Sequence, residues 1–290
     1  MSLSIGGKVV LITGTSSGFG RDLVGNLLQR GHTVIATMRG SIERFESIFQ
    51  LELTRYKDRL HFFELHVDRS DTFESLKAFV EQKLQNRLDV LINNAGYGLL
   101  GPIEDMTEAQ MRRQMEVNFM GPVLLTQTLL PLLKLNKGRV INISSICGLT
   151  TLPYYGLYCA SKQALEAYTE ALHFDLKSAG VQVALVEPGG FRTNFTSSSL
   201  VFSEKSQSPT SSYYSDAQAF ERMRRRYGEK LPHPAPVIQT ITLLCERPQI
   251  SLRNIVGIDA TLLSFFRRIC PDALRISIQE WFFRKILWWG

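Results

Sequence analysis

Seven short apolar, β-branched runs recur along the chain, at residues 8–13, 33–37, 60–66, 90–93, 139–143, 181–187 and 254–258. Most read as continuous apolar stretches rather than alternating ones, the pattern of strands covered on both faces. Between most of them, at 21–29, 72–84 and 161–177 for example, apolar positions fall at helical spacing, which predicts amphipathic helices. Alternation of this kind predicts an α/β fold: a doubly wound, Rossmann-type parallel sheet of about seven strands with helices on both faces. No internal repeat interrupts it. Residues 1–290 are read as one dinucleotide-binding domain carrying a C-terminal extension over 260–290.

One stretch departs from the pattern. Residues 196–215 are rich in Ser and Thr and have little apolar periodicity. They follow a strand's C-terminal end, where open α/β sheets bind ligands, and they lead into a charged helical segment at 217–227. The expectation is a mobile loop within a substrate lid over 191–232.

The first strand ends in Thr13-Gly14-Thr15-Ser16-Ser17-Gly18-Phe19-Gly20 and runs directly into a helix. Glycines at 14, 18 and 20 let the backbone turn tightly and approach a pyrophosphate, which the free N–H groups and positive dipole end of the helix then hold. At the end of the second strand stands Arg39 in Thr37-Met38-Arg39-Gly40, where an acid would bond a ribose 2′-hydroxyl. A guanidinium there suits a 2′-phosphate instead, and Ser17 could add a hydroxyl. NADP(H) is therefore expected in preference to NAD(H).

Tyr158 and Lys162 lie four residues apart, on one face of a predicted helix. Free tyrosine titrates near 10, too high for efficient acid/base work at neutral pH. An ammonium ~5 Å away at an effective dielectric of about 20 favours phenolate by roughly 3 kcal/mol, about 2 pH units. Such a Tyr exchanges a proton with a carbonyl or alcohol oxygen while hydride moves to or from a nicotinamide.

With these residues in place the chain resembles the short-chain dehydrogenase/reductase family of the single-domain kind. Five blocks match in order: Thr13 with Gly18 and Gly20, Asn93-Asn94-Ala95-Gly96, Ser144-Ser145, Tyr158 with Lys162, and Pro188-Gly189 with Thr193. The resemblance is clear over roughly residues 6–195 and weakens afterwards. It implies Tyr158 as acid/base, Lys162 as the group that lowers its pKa and holds the nicotinamide ribose, and Ser145 as partner of the substrate oxygen. Ser144, on the other side of the strand, is the lesser candidate for that role. Asn118 matches a helix-kinking Asn that links Lys162 to solvent through water. Pro122, four residues on, lacks the N–H that would bond the Asn118 carbonyl in a regular helix. Asp68 would contact adenine, Asn94, Ala95 and Gly96 flank the cofactor, and Thr193 touches its carboxamide end. Gly14, Ser16, Ser17, Gly18, Phe19, Gly20, Arg39, Pro188 and Gly189 complete the expected cofactor site. A homodimer or homotetramer, through helices near 107–135 and 155–177, is the family habit.

Composition narrows the surroundings more than the chemistry. At 44% hydrophobic and 21% charged the chain is ordinary globular protein. Its longest uncharged run, 140–161, is broken by Asn, Ser, Thr, Gly and Pro, so no membrane span is expected. A strand starting at residue 8 leaves no room for a signal peptide. Four cysteines without a CxxC spacing read as reduced thiols of a cytoplasmic protein. Five histidines show no metal-ligand spacing. Cys159 is read as packing, Glu104-Asp105 as helix-capping acids, and the Arg222–Arg226 cluster as a solvated face. The formal charge of +6 resides entirely in residues 218–290, which carry 12 basic and 6 acidic side chains, and no nucleic-acid motif accompanies it.

Tyr154, Tyr155, Leu149, Leu152 and Phe191 suggest an apolar pocket, and within the family the chain looks most like the hydroxysteroid and retinol dehydrogenase branch. The expected function is interconversion of a lipophilic, steroid- or retinoid-like secondary or allylic alcohol and its carbonyl. A 3-oxoacyl-thioester reductase and a non-catalytic cofactor-binding scaffold or redox sensor are the alternatives. The intact Ser145, Tyr158 and Lys162 set argues against the scaffold.

The segment 262–290 interleaves seven aromatic residues with Arg267, Arg268, Arg275, Arg284 and Lys285. One reading is an interfacial helix on an anionic membrane. On a helical wheel from Asp272 the charges scatter, which favours packing against the pocket, the lid or another subunit with only the charges exposed.

Overall fold

The structure, a computed structural model, describes residues 7–289, and the side chains at 197, 282 and 286–289 lie outside the described residues. The strands are β1 (Val9–Thr13), β2 (Thr33–Met38), β3 (Leu60–Glu64), β4 (Val90–Asn93), β5 (Gly98–Leu100), β6 (Arg139–Ile143), β7 (Gln182–Pro188), β8 (Leu200–Phe202) and β9 (Arg253–Val256). The helices are α1 (Gly18–Gln29), α2 (Ile42–Tyr56), α3 (Phe73–Lys83), α4 (Glu108–Met115), α5 (Gly121–Leu135), α6 (Ile146–Leu149), α7 (Gly156–Leu176), α8 (Tyr214–Gly228), α9 (Ala235–Glu246), α10 (Ile258–Ile269) and α11 (Asp272–Trp289).

Seven strands form one parallel sheet in the order β3-β2-β1-β4-β6-β7-β9. Each apolar run named above supplies one of them. The last run ends early because Gly257, at φ +112°, turns the chain out of the sheet, so Ile258 opens α10.

Alternate side chains of the strands feed two separate cores. Val10, Ile12, Val34 and Ala36 pack with α1, α2 and α9 through Leu23, Leu27, Phe45, Phe49, Val237 and Ile241. Val9, Leu11, Ile35 and Val140 pack on the opposite face with α3, α5 and α7 through Phe73, Leu76, Leu125, Leu129 and Leu172. Both faces of each central strand are therefore covered, which is why the strands read as continuous apolar runs. Strand order reverses between β1 and β4, and the crevice at their C-terminal ends is where a ligand fits such a sheet.

The Ser-rich stretch is more ordered than its composition suggests. β8 pairs in parallel with β5, forming a second small sheet. Leu200, Ser203, Ser206 and Ser211 are buried. Ser206 Oγ donates to the Ser203 carbonyl at 2.8 Å, and Ser211 Oγ donates to buried Asp105. Lys205 pairs with Asp105 at 3.3 Å, and Tyr213 donates to Glu104 at 3.0 Å. Glu104 and Asp105 thus tether the Ser-rich stretch rather than cap a helix. The cap of α4 is Thr107, whose hydroxyl accepts from Gln110 N at 3.3 Å.

The C-terminal segment packs on α8 and on the loop before α7. Phe283 lies 5.5 Å from the Tyr154 ring and 6.3 Å from Phe220 of α8, and Gln279 donates to the Thr151 carbonyl at 3.1 Å. It does not expose only charges, however, since Leu274, Ile276, Ile278 and Trp281 are also exposed. Phe282, Trp288 and Trp289 fall outside the described side chains. Among the described residues no helix is long and apolar enough to cross a membrane.

Candidate active site

A cavity of about 780 Å³ opens at the β1/β4 crevice. One part of its wall is built from the first βα turn. Gly14 adopts φ +73°, and a Cβ there would lie 2.8 Å from Ala95 Cα; a Cβ on Gly20 would lie 2.3 Å from the Gly14 carbonyl oxygen. Only glycine fits either position. Thr13 Oγ1 accepts from the backbone N–H groups of Asn94 and Ala95, both at 3.0 Å, and Asn94 Nδ2 donates to the Thr13 and Gly14 carbonyls at 2.8 and 3.0 Å. These bonds lock the end of β1 to the end of β4. Ser17, at the N-cap of α1, makes no side-chain capping bond and the first turn holds no acid, so the positive end of the helix dipole meets no side-chain acceptor from Ser17 and no first-turn carboxylate.

Gly14, Ser16, Ser17, Gly18, Phe19, Arg39, Asp68, Asn94, Ala95, Gly96, Pro188, Gly189 and Thr193 all line this one cavity, together with Ser145, Tyr158 and Lys162. Gly20 and Asn118 stand behind the lining. Gly20 lets α1 close on the turn. Asn118 is buried, donates from Nδ2 to the Tyr97 carbonyl (2.8 Å) and to Ser161 Oγ (3.1 Å), and accepts from Tyr97 N (3.1 Å). Ser161 Oγ in turn donates to the Tyr158 carbonyl at 2.7 Å, so Asn118 braces the turn of α7 that carries Tyr158. The kink expected near Pro122 takes the form of a π-turn over Glu116–Met120, with Gly121 N donating to the Glu116 carbonyl.

Tyr158, Cys159 and Lys162 are buried on α7. Lys162 Nζ donates to the Ile143 carbonyl at 2.8 Å and lies 5.9 Å from the centre of the Tyr158 ring. Burial lowers its pKa to about 8. Burial also pushes the Tyr158 phenol well above its ordinary value, with Cys147 adding to the rise and a hydrogen bond from Ser145 opposing it. Burial is thus the dominant influence on the phenol. Desolvation of a fully buried phenolate outweighs an ammonium that is itself desolvated and turned toward a carbonyl. Ser145 caps α6, accepting from Cys147 N at 3.2 Å, while Ser144 turns away and donates to Glu166 at 2.7 Å.

The far end of the cavity is lined by Leu152, Tyr155, Phe191, Phe195, Leu200, Tyr227, Leu231 and Leu263. These side chains line the same cavity as Tyr158. A family model described as short chain dehydrogenase matches residues 8–201.

The chain is a short-chain dehydrogenase/reductase.

This dehydrogenase is 40% identical over 192 residues to 3-ketodihydrosphingosine reductase of Bacteroides thetaiotaomicron, spanning 65% of this chain and 66% of that protein. It is 36% identical over 228 residues to retinol dehydrogenase 7 of Rattus norvegicus, spanning 77% of this chain and 67% of that protein. The solved structure of a short-chain dehydrogenase from Streptomyces avermitilis, 33% identical, matches with a TM-score of 0.78 over 94% of this chain and 97% of that one. The dehydrogenase is accordingly an oxidoreductase with a nicotinamide dinucleotide as cofactor.

Several residues of the dehydrogenase's cavity carry no motif. Arg44, in the first turn of α2, lines it beside Arg39 and donates to the Arg39 carbonyl at 3.4 Å. Asp259, in the first turn of α10, accepts from Gly190 N at 2.6 Å and fills the space a Cβ on Gly189 would need. From sequence it reads as an ordinary first-turn acid. Arg224 corrects the reading of the arginine cluster as a solvated face: it is only partly exposed, pairs with Glu221 at 2.6 Å, donates to the Thr196 carbonyl and lines the cavity. Behind Ser144, Arg253 of β9 bridges Glu166 (2.9 Å), Glu170 (2.7 Å) and Glu187. Among the described residues no group of His, Cys, Asp and Glu could hold a metal ion.

Proposed function

We propose that this dehydrogenase interconverts a lipophilic, steroid- or retinoid-like secondary or allylic alcohol and its carbonyl with NADP(H), using Tyr158 as acid/base. The observation that carries this reading is the convergence of Ser145, Tyr158 and Lys162 on one cavity, between a glycine-built phosphate cradle and an apolar end closed by lid residues. The residues present fit a dinucleotide: the open end of α1 suits its pyrophosphate, and Arg39 with Arg44 suits a 2′-phosphate. When bound, the cofactor supplies or accepts the hydride at its nicotinamide ring.

The chain's own groups handle the proton. Ser145 and the Tyr158 hydroxyl hold the substrate oxygen. Burial keeps the phenol protonated, so it is poised to donate as a carbonyl is reduced. Lys162, titrating near 8, is mostly cationic at neutral pH and offsets the phenolate left behind. Gly96 leaves space between the Asn118 side chain and Lys162, and a water there would return the proton from solvent. Relatives named as a 3-ketodihydrosphingosine reductase and a retinol dehydrogenase support a lipophilic substrate.

The test is NADPH and NADH oxidation measured by absorbance over steroid, retinoid, 3-oxoacyl-thioester and small-ketone panels. Turnover of lipophilic carbonyls with NADPH is expected. Turnover confined to 3-oxoacyl thioesters, or a strong NADH preference, would overturn the substrate and cofactor assignments respectively.

A further inference from the structure

α10 presents two different faces. Asp259 and Leu263 line the active-site cavity, Ala260 and Ser264 are buried, and Arg267 donates to the Leu149 carbonyl. The opposite face carries Ile258, Leu262, Phe265 and Ile269, spaced four, three and four residues apart, and each is between 62% and 81% exposed. At 100° per residue these four fall within a wedge of roughly 60°. A stripe this regular is unusual on a surface, where isolated apolar side chains are the norm. Arg268 is exposed beside it.

α11 repeats the arrangement with its polar groups inward. Arg275, Gln279 and Phe283, four residues apart, turn toward the body, where Gln279 bonds Thr151 and Phe283 meets Tyr154. Leu274, Ile278 and Trp281 are left on the exposed side with Arg284 and Lys285, and Lys285 Nζ sits 5.0 Å over the Trp281 ring. Turning an arginine and a glutamine inward scatters the polar residues around the wheel, which is why the sequence shows no amphipathic pattern here.

We propose that the exposed stripes of α10 and α11 seat the protein on an anionic bilayer surface, with both helices lying along the interface. Charge decides the occupant. The two helices carry five basic residues, Arg267, Arg268, Arg275, Arg284 and Lys285, against Asp259, Asp272 and Glu280. Asp259 is engaged by Gly190 N, Arg267 by the Leu149 carbonyl, and Arg275 turns inward and pairs with Asp272 at 2.9 Å, so the exposed side carries Arg268, Arg284 and Lys285 against Glu280. The exposed rim is therefore basic. A second copy packed across a two-fold axis would set these cations against one another, whereas anionic headgroups neutralise them while the apolar stripes enter the acyl boundary. Among the described residues neither helix is long and apolar enough to cross the bilayer. Since α10 is also a cavity wall, the active site lies one helix diameter from the lipid, about 10 Å.

The test is co-sedimentation of the full chain with vesicles of phosphatidylcholine alone and of phosphatidylcholine with phosphatidylglycerol, at low and high salt. The expected result is binding that requires phosphatidylglycerol and weakens with salt. Leu262→Glu combined with Phe265→Glu should lower the partition coefficient at least about tenfold while leaving the thermal melt unchanged. Negligible binding of the wild-type chain to phosphatidylglycerol vesicles at low salt overturns the proposal without recourse to any variant. So does a fall in oligomeric mass of the double variant by light scattering with lipid binding intact, which would give the face to a second copy.

Discussion

Glu187→Gln is expected to stabilise the fold above neutral pH and to leave it unchanged in mild acid. Glu187 is fully buried at the end of β7, faces Arg253 and Glu166, and has one carboxylate oxygen, Oε2, without a hydrogen-bond partner among the described residues. Burial, and then the neighbouring Glu166, raise its pKa from the ordinary 4.5 to about 7, against the pull of Arg253. A raised carboxyl favours the folded state while it is protonated in the fold. That advantage is complete below about pH 4.5 and is lost as pH rises through about 7. At 1.36 kcal/mol per pH unit the full loss is about 3 kcal/mol, most of which falls between about pH 5 and about pH 8. Gln reproduces the neutral acid at every pH. Urea melts of both proteins over this range should give stabilities that coincide near the acid end and diverge by about 2 kcal/mol toward the alkaline end. His32 and His61, whose pKa values burial lowers, contribute equally to both proteins and cancel in the difference. Parallel pH profiles, or a variant less stable throughout, would refute the assignment of Glu187 as a buried acid.

Three further outcomes concern the cavity. Removing both guanidiniums, with Arg39→Ala and Arg44→Ala, should raise the KM for NADPH by about ten- to hundredfold and leave that for NADH nearly unchanged; steady-state kinetics with both cofactors checks this. Gly96→Ala would place a Cβ 3.2 Å from Asn118 Oδ1 and 3.7 Å from Lys162 Nζ. Its kcat should fall by about tenfold or more with the dissociation constant for NADPH little changed, as read by fluorescence titration. Asp259→Ala frees the Gly190 N–H that Asp259 holds at 2.6 Å, and weaker cofactor binding with an intact thermal melt is expected from the same titration.

The parts of the molecule that were legible in the sequence are those where one physical requirement dictates the residue. Two-sided burial forces continuous apolar strands, and all seven strands of the sheet were readable on that basis. Close backbone approach forces glycine at 14 and 20, and the turn was readable for that reason. The order of the Ser-rich stretch is not legible because serine hydroxyls are ambiguous: Ser206 and Ser211 satisfy themselves on a carbonyl and a buried carboxylate, yet their composition is that of a solvated loop. Glu104 and Asp105 bond side chains more than a hundred residues away, and no local spacing encodes such a partner. Arg44, Asp259 and Arg224 reach the cavity only because α2, α10 and α8 are folded against it. The Tyr158–Lys162 spacing predicted proximity correctly, but the balance between attraction and desolvation depends on burial, which spacing does not carry.

The claim that Tyr158 moves the proton is tested most directly by Tyr158→Phe, measuring NADPH binding by fluorescence and carbonyl turnover by absorbance on the same preparation. The account predicts a dissociation constant within about twofold of wild type and turnover lower by at least about a hundredfold. Turnover retained at the wild-type level, with NADPH bound normally, would contradict it.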